Sequence, residues 1–170
     1  MVTVSHVRCT RSLESRGQKN AANWSKTIVI AGRHDIMAQM KKDFWKWHGK
    51  KEQIDEKNIR VFFHEREIWF AHLGANVGFE QDGKGENFGR PLLIFRKFNK
   101  EVFWGVPLTT REKGGKFYLP IDLGDGVPRK AILSQLRLFD AKRLYQKLAT
   151  VDTATHRRLE AAIIKLVRGK

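Results

Sequence analysis

The chain is 170 residues long and strongly basic: 33 Lys+Arg against 18 Asp+Glu give a formal charge of +15 and a pI near 10.2. That length holds one domain with its own core plus an extension, and the charge attracts polyanions through phosphate contacts and counterion release. A single cysteine, Cys9, excludes an internal disulfide framework. No apolar run reaches the roughly 18 residues of a membrane helix, and TIVIA (27–31) is too short for a signal-peptide core. These features predict a soluble protein of the reducing cytoplasm, with no membrane association.

Residues 1–34 carry six Lys/Arg against Glu14 alone, with many Ser, Asn and Gly and little periodicity. They read as a disordered basic arm, or as sequence upstream of a later start at Met37 or Met40. The remainder keeps a charge of +10. Residues 35–58 are predicted as an amphipathic helix, because Ile36, Met40, Phe44, Trp47 and Ile54 recur near helical spacing, weakened by Gly49. Its aromatics suit packing on the domain that follows; Trp45 or Trp47 as a stacking platform for bases is the other use of them.

Residues 60–170 are the predicted folded domain. Strand-like runs follow one another: RVFF (60–63), EIWFAHL (67–73), RPLLIFRKF (90–98), EVFWGVPL (101–108), KFYLPI (116–121) and AILSQLRLF (131–139). Gly-rich breaks separate them at 83–89, 113–116 and 124–126. AKRLYQKL (141–148) reads as a helical turn and a brief strand. A final helix starts at a cap on Asp152 or Thr153 and carries the stripe Leu159, Ile163, Leu166, Val167. Strands this short and regular predict a small, strongly bent antiparallel barrel, mainly β with helical additions.

The hairpin through Asn99-Lys100 contains the most pointed functional signal. A two-residue turn there pairs Phe98 with Glu101, so residues whose numbers sum to 199 face each other. Arg90 and Thr109 then lie opposite on one face, with Cα atoms about 4.5–5.5 Å apart. A permanent cation beside a hydroxyl suits a phosphate or a developing oxyanion. RNA can be cut by its own 2′-hydroxyl if a protein binds the strand, moves two protons and neutralises the phosphorane. Glu80 is a candidate to take or position the 2′-hydroxyl proton. The plainer reading, in which Glu80 salt-bridges Arg90 and Thr109 only ends a strand, stays open. His64 and His72 have no third ligand at a recognisable metal spacing. The glycines of 83–89 lack the Lys-Ser/Thr end of a phosphate loop. Asp122 and Asp125 are read as turn residues. Neither a metal nor a cofactor is implied.

The ordered series EIWFAHLGANVGFEQ (67–81), GRPLLIF (89–95), VPLTT (106–110), SQLRLFD (134–140) and KRL (142–144) resembles the signature of the MazF/PemK toxin family over about residues 64–168. The resemblance implies an SH3-like barrel that forms a homodimer. It implies the toxin of a type II toxin–antitoxin pair, a metal-independent endoribonuclease that cuts single-stranded mRNA. Its products would carry 2′,3′-cyclic phosphate and 5′-hydroxyl ends. The partner would be an antitoxin whose flexible segment lies across the RNA groove. Arg90 and Thr109 match the family's principal catalytic positions, and Glu80 takes a supporting role in orienting Arg90. Gln81, Lys84, Thr110, Arg111, Gln135 and Arg137 become candidates for RNA contact, or for holding the groove in shape in the case of Gln81, Gln135 and Arg137.

There are departures. Arg66-Glu67 stands where the family has Gly-Asp, and the loop between Gln81 and Arg90 is longer than in compact members. Ile132 and Ser134 replace an Arg and an Asp of one branch, so that branch's acid–base pair is not carried over. Two other classes stay open: a non-catalytic RNA- or DNA-binding barrel, and a CcdB-type gyrase-poisoning toxin on the same small barrel, although the basic end LVRGK lacks the apolar tip the latter uses.

Overall fold

The computed structural model describes residues 42–169. The arm expected over 1–34, Cys9, and the helical positions Ile36 and Met40 lie outside the described residues. In chain order the elements are α1 (Phe44–Asp55), β1 (Glu67–His72), β2 (Gly89–Lys97), β3 (Val102–Thr109), β4 (Tyr118–Ile121), β5 (Arg129–Ile132), a 3-10 turn (Leu133–Gln135), β6 (Arg137–Asp140), a second 3-10 turn (Ala141–Arg143), β7 (Leu144–Thr150) and α2 (Thr153–Arg168).

All strand pairs are antiparallel, in the order β4-β5-β3-β2-β1-β7, with β6 also on β3. β3 divides its second edge: residues 102–105 pair with β6, and Leu108 and Thr109 pair with β5. Sharing one strand between two partners, together with two register shifts between β1 and β7, bends the sheet into the small barrel the sequence indicates. The predicted strand 131–139 is therefore broken into β5, a 3-10 turn and β6, as the chain crosses from one partner stretch of β3 to the other.

Both faces of β1–β3 are buried, which explains the unbroken apolar runs in the sequence. Trp69, Ala71, Leu92, Ile94 and Phe103 enter one cluster with Phe63, Phe139 and Leu144. Ile68, Leu93, Val106 and Leu108 enter a second, closed by Leu159 and Ile163 of α2. Alternation along each strand sorts the residues between the two. Arg90 has the parity of Leu92 and Ile94, and Thr109 that of Phe103 and Pro107, so both continue the first face beyond its apolar edge.

Asp152 caps α2 by accepting from Thr155 N–H at 2.8 Å, and Gly169 (φ 69°) ends it in the left-handed region. Of the predicted stripe, Leu159 and Ile163 are buried, whereas Val167 is exposed. α1 is shorter than the 35–58 expected: its described span is Phe44–Asp55, capped by Asp43, and it buries Trp47 and Ile54 while Phe44 stays exposed. Residues 60–63 form no strand. Phe63 is fully buried, but its segment is anchored by side chains, with Lys97 Nζ donating to Phe63 O at 2.8 Å and lying over the Phe62 and Phe63 rings.

The turn between β2 and β3 also differs from expectation. Phe98 N–H donates to Val102 O, and Asn99 Oδ1 accepts from the N–H groups of Glu101 and Val102. Asn99 thus closes the turn with its side chain rather than with a positive φ. The loop is three residues long, so Lys97 faces Phe103 and the numbers near the turn sum to 200. A bulge at Phe95 absorbs the extra residue, and Ile94↔Gly105, Leu93↔Val106 and Leu92↔Pro107 return to 199. The register expected of the hairpin is thus reached through a longer turn and a compensating bulge, and it holds as far as the last ladder pair, Leu92↔Pro107.

Candidate active site at the open end of the β2–β3 hairpin

Arg90 is the second residue of β2 and Thr109 the last of β3. Both are buried, at 7% exposure each. The Arg90 guanidinium is held on three sides. Nε donates to Asp82 O at 2.6 Å, and Nη1 to Leu108 O at 3.1 Å. With the Gln81 amide oxygen turned toward it, Nη2 donates to Gln81 Oε1 at 2.8 Å. An arginine has five N–H donors; three bonds to the protein leave two for an anion. Burial first, then the Arg111 cation, push the guanidinium below its ordinary pKa, and the Asp82 carboxylate opposes them. Thr109 Oγ1 accepts from Arg111 N–H at 3.2 Å, which leaves its own proton to donate.

Arg90 and Thr109 form a ridge between two clefts. One, of about 370 Å³, has apolar walls from Phe70, Pro91 and Tyr145 and is also lined by Lys84 and Thr110. The other, of about 280 Å³, is lined by Gln81, Lys84, Arg111 and Lys113. Lys84, Arg90 and Thr109 line both. A basic ridge with an apolar cleft on one side suits a phosphodiester whose neighbouring base is accommodated beside it.

The other sequence candidates divide by position. Gln81, Lys84, Thr110 and Arg111 line the clefts. Gln135 braces the loop between β1 and β2, accepting from Gln81 N–H at 3.2 Å and donating to Phe79 O at 3.4 Å. Arg137 is half-buried with its guanidinium 4.9 Å above the Phe139 ring. Glu80 corrects the expectation made for it. Its carboxylate accepts from Val77 N–H at 3.3 Å and its charge acts on Arg137, while the carbonyls of Asp82 and Leu108 and the Gln81 amide hold Arg90. A loop that turns Gln81 inward carries the adjacent Glu80 outward.

His64 and His72 are engaged separately. His64 N–H donates to Glu67 Oε2 at 2.9 Å. His72 Nδ1 lies 2.6 Å from Asn87 O, which can only accept, so Nδ1 carries the proton. Burial pushes the His72 imidazole below its ordinary pKa, and its ring stacks on Tyr145 at 4.5 Å. No group of three metal-ligating side chains occurs among the described residues. Asp122 and Asp125 make the local turn bonds expected of them, to Gly124 N–H and Val127 N–H. The sequence reading missed Phe70 and Tyr145 as cleft walls. Nothing in the sequence marked them; in the structure a Cβ at Gly89 would stand 2.2 Å from the Tyr145 hydroxyl, so glycine there lets that ring sit close.

The fold and this cleft define a small antiparallel barrel that offers a fixed arginine and a hydroxyl to an anion. Residues 64–167 match the family of PemK-like, MazF-like toxins of type II toxin–antitoxin systems, and the chain belongs to it. Among solved structures, MazF of Deinococcus radiodurans in its form I is 17% identical, with a TM-score of 0.51 over 65% of this chain and 99% of that one. The MazF-mt6 toxin of Mycobacterium tuberculosis is 18% identical, with a TM-score of 0.48 over 61% and 97%. A mycobacterial endoribonuclease in complex with its cognate antitoxin is 14% identical, with a TM-score of 0.47 over 61% and 93%. At 17% identity the likeness to the Deinococcus structure is one of fold. Comparison with curated protein sequences returns no significant match. No described helix is long and apolar enough to cross a membrane.

Proposed function

We propose that this toxin is an endoribonuclease that cuts single-stranded RNA in the cytoplasm by transesterification. The 2′-oxygen attacks the adjacent phosphorus, the P–O5′ bond breaks, and the products are a 2′,3′-cyclic phosphate and a 5′-hydroxyl. The observation that carries this reading is the immobilised Arg90 beside Thr109 at a ridge between two clefts. The guanidinium is charged at every working pH and stabilises the extra negative charge of the phosphorane with its two remaining N–H groups. The Thr109 hydroxyl, oriented by Arg111 N–H, donates to a phosphate oxygen. Lys84 and Arg111 neutralise the flanking backbone, and the splayed bases of a single strand reach the clefts where a stacked duplex cannot. The chemistry asks for positioning and charge, not for a metal. A homodimer and an antitoxin whose flexible acidic segment covers the basic cleft belong to the same reading.

The test is incubation with a long single-stranded RNA in EDTA, with the new 5′ ends mapped beside Arg90→Ala and Thr109→Val. Discrete cuts with 5′-hydroxyl ends, lost in Arg90→Ala and reduced in Thr109→Val, are expected. Intact RNA bound by the wild-type protein would make it a binding module instead.

A further inference from the structure

We propose that Trp47 of α1 is a positioning residue for the Arg90 site, acting through the loop between β1 and β2. The inference rests on the catalytic reading of Arg90. The family match begins at residue 64, so α1 lies outside it and the strut is a feature of this chain.

Trp47 closes the neck of the loop. Its indole lies 5.3 Å from the Phe88 ring at the loop's end, and the Arg143 guanidinium sits 5.6 Å above it. At the loop's start, a Cβ on Gly74 would stand 2.2 Å from Trp47 Cε2. The ring is thus flush against backbone that only glycine permits, at φ 94°. The two ends it touches are tied to each other. Leu73 N–H and Gly74 N–H both donate to Phe88 O, at 2.9 and 3.3 Å. Arg143 also donates from Nη1 to His72 O at 2.8 Å, so the cation that covers the indole holds the strand leading into the loop.

From that neck, hydrogen bonds run to the groups that hold Arg90. Gly83 N–H donates to Gly74 O at 2.8 Å. Asn76 N–H donates to Asp82 Oδ1 at 2.7 Å, and Asn76 Nδ2 to Gln81 O at 2.9 Å. Asp82 O and Gln81 Oε1 are the acceptors that orient the guanidinium. If the neck opens, these acceptors move and the fork that faces the phosphate moves with them. A shift of about 1 Å at such a distance from the reacting atoms is enough to slow chemistry up to 10²-fold.

The plainer reading is that Trp47 only anchors α1. Two measurements on the full chain separate the alternatives. In amide hydrogen exchange, Trp47→Ala is expected to lose about tenfold or more of its protection at Leu73, Gly83, Lys84 and Gly89 while the amides of β3 keep theirs. In single-turnover cleavage of RNA, the rate at saturating protein is expected to fall about tenfold with little change in RNA affinity. Trp47→Phe, which keeps a ring against Phe88, is expected to restore both. Gly74→Ala, which pushes the indole away from the other side, is expected to reproduce the loss. Unchanged loop protection in Trp47→Ala, or an equal loss in the loop and in β3, would overturn the proposal. Exchange reads the strut whether or not the wild-type protein cuts RNA, so failure of the nuclease reading and failure of the strut are seen separately.

Discussion

Arg90→Lys separates charge from geometry at the site. The substitution keeps the cation but replaces a planar five-donor fork with a compact ammonium on a flexible stem. Asp82 O, Leu108 O and Gln81 Oε1 converge on three different nitrogens of the guanidinium. One ammonium at the end of the shorter lysine reaches one of them, leaving two acceptors, at least one of them only part-buried, without their donor. Each such orphan costs about 1–3 kcal/mol, so the variant is expected to lose about 2–6 kcal/mol in urea denaturation. In single-turnover cleavage with protein in excess over RNA, loss of the aimed donors is expected to slow the chemical step about 10²–10³-fold, as for removal of a single oxyanion donor. Binding, which depends on charge, is expected to change little. Cleavage by Arg90→Lys within about threefold of wild type would refute the reasoning, because net charge alone would then carry the catalytic role.

Two further substitutions probe the scaffold. Glu67 is buried and accepts from Lys147 Nζ at 2.5 Å, Trp69 Nε1 at 2.8 Å and His64 N–H, and these bonds outweigh burial to bring its carboxyl down to about 2. Because the folded value is depressed, the stability it contributes is complete above the ordinary carboxylate value of 4.5 and is lost as pH falls from there toward 2. At neutral pH that contribution is about 3 kcal/mol. Glu67→Gln should lower the urea midpoint at neutral pH and flatten its decline in acid; an unchanged acid limb would contradict this. Arg66 holds a φ of 72° at the entry to β1. Arg66→Gly relieves that conformation and is expected to raise stability by a few tenths to about 1 kcal/mol, net of glycine's entropy, despite losing the exposed bond to Thr153. A fall in thermal midpoint would show that the side-chain bond outweighs the backbone.

The barrel was legible because its strands are bounded by turn residues and its helices by caps, and local chemistry of that kind survives folding. Glu67–His72, Gly89–Lys97 and Val102–Thr109 fall, to within a residue, where the apolar runs and the turn residues between them place them. The register of the hairpin up to Leu92↔Pro107 was legible for a partly accidental reason: the turn is one residue longer than expected and the bulge at Phe95 removes the difference. Bulges leave no short-range mark in a sequence, so neither departure could be read. RVFF looked like a strand because it is apolar, yet Phe63 is buried by side-chain packing without any ladder. Arg66 stands where the family has glycine, and the arginine itself adopts the left-handed backbone. The carbonyls that orient Arg90 could not be read at all, because they belong to the backbone of a loop and of a strand end. Glu80 drew attention as a charge, whereas the neighbouring neutral Gln81 makes the contact.

The central claim is that Arg90 and Thr109 serve attack by the RNA's own 2′-hydroxyl. Its most direct test uses an oligonucleotide carrying a mapped cleavage site, with a single 2′-deoxy sugar placed on the 5′ side of the scissile phosphate. The account expects cleavage of the all-RNA strand to a 2′,3′-cyclic phosphate by mass spectrometry, and no cleavage of the deoxy strand while its affinity is retained. Cutting of the deoxy strand at the same bond would contradict it, since the nucleophile would then have to come from outside the substrate.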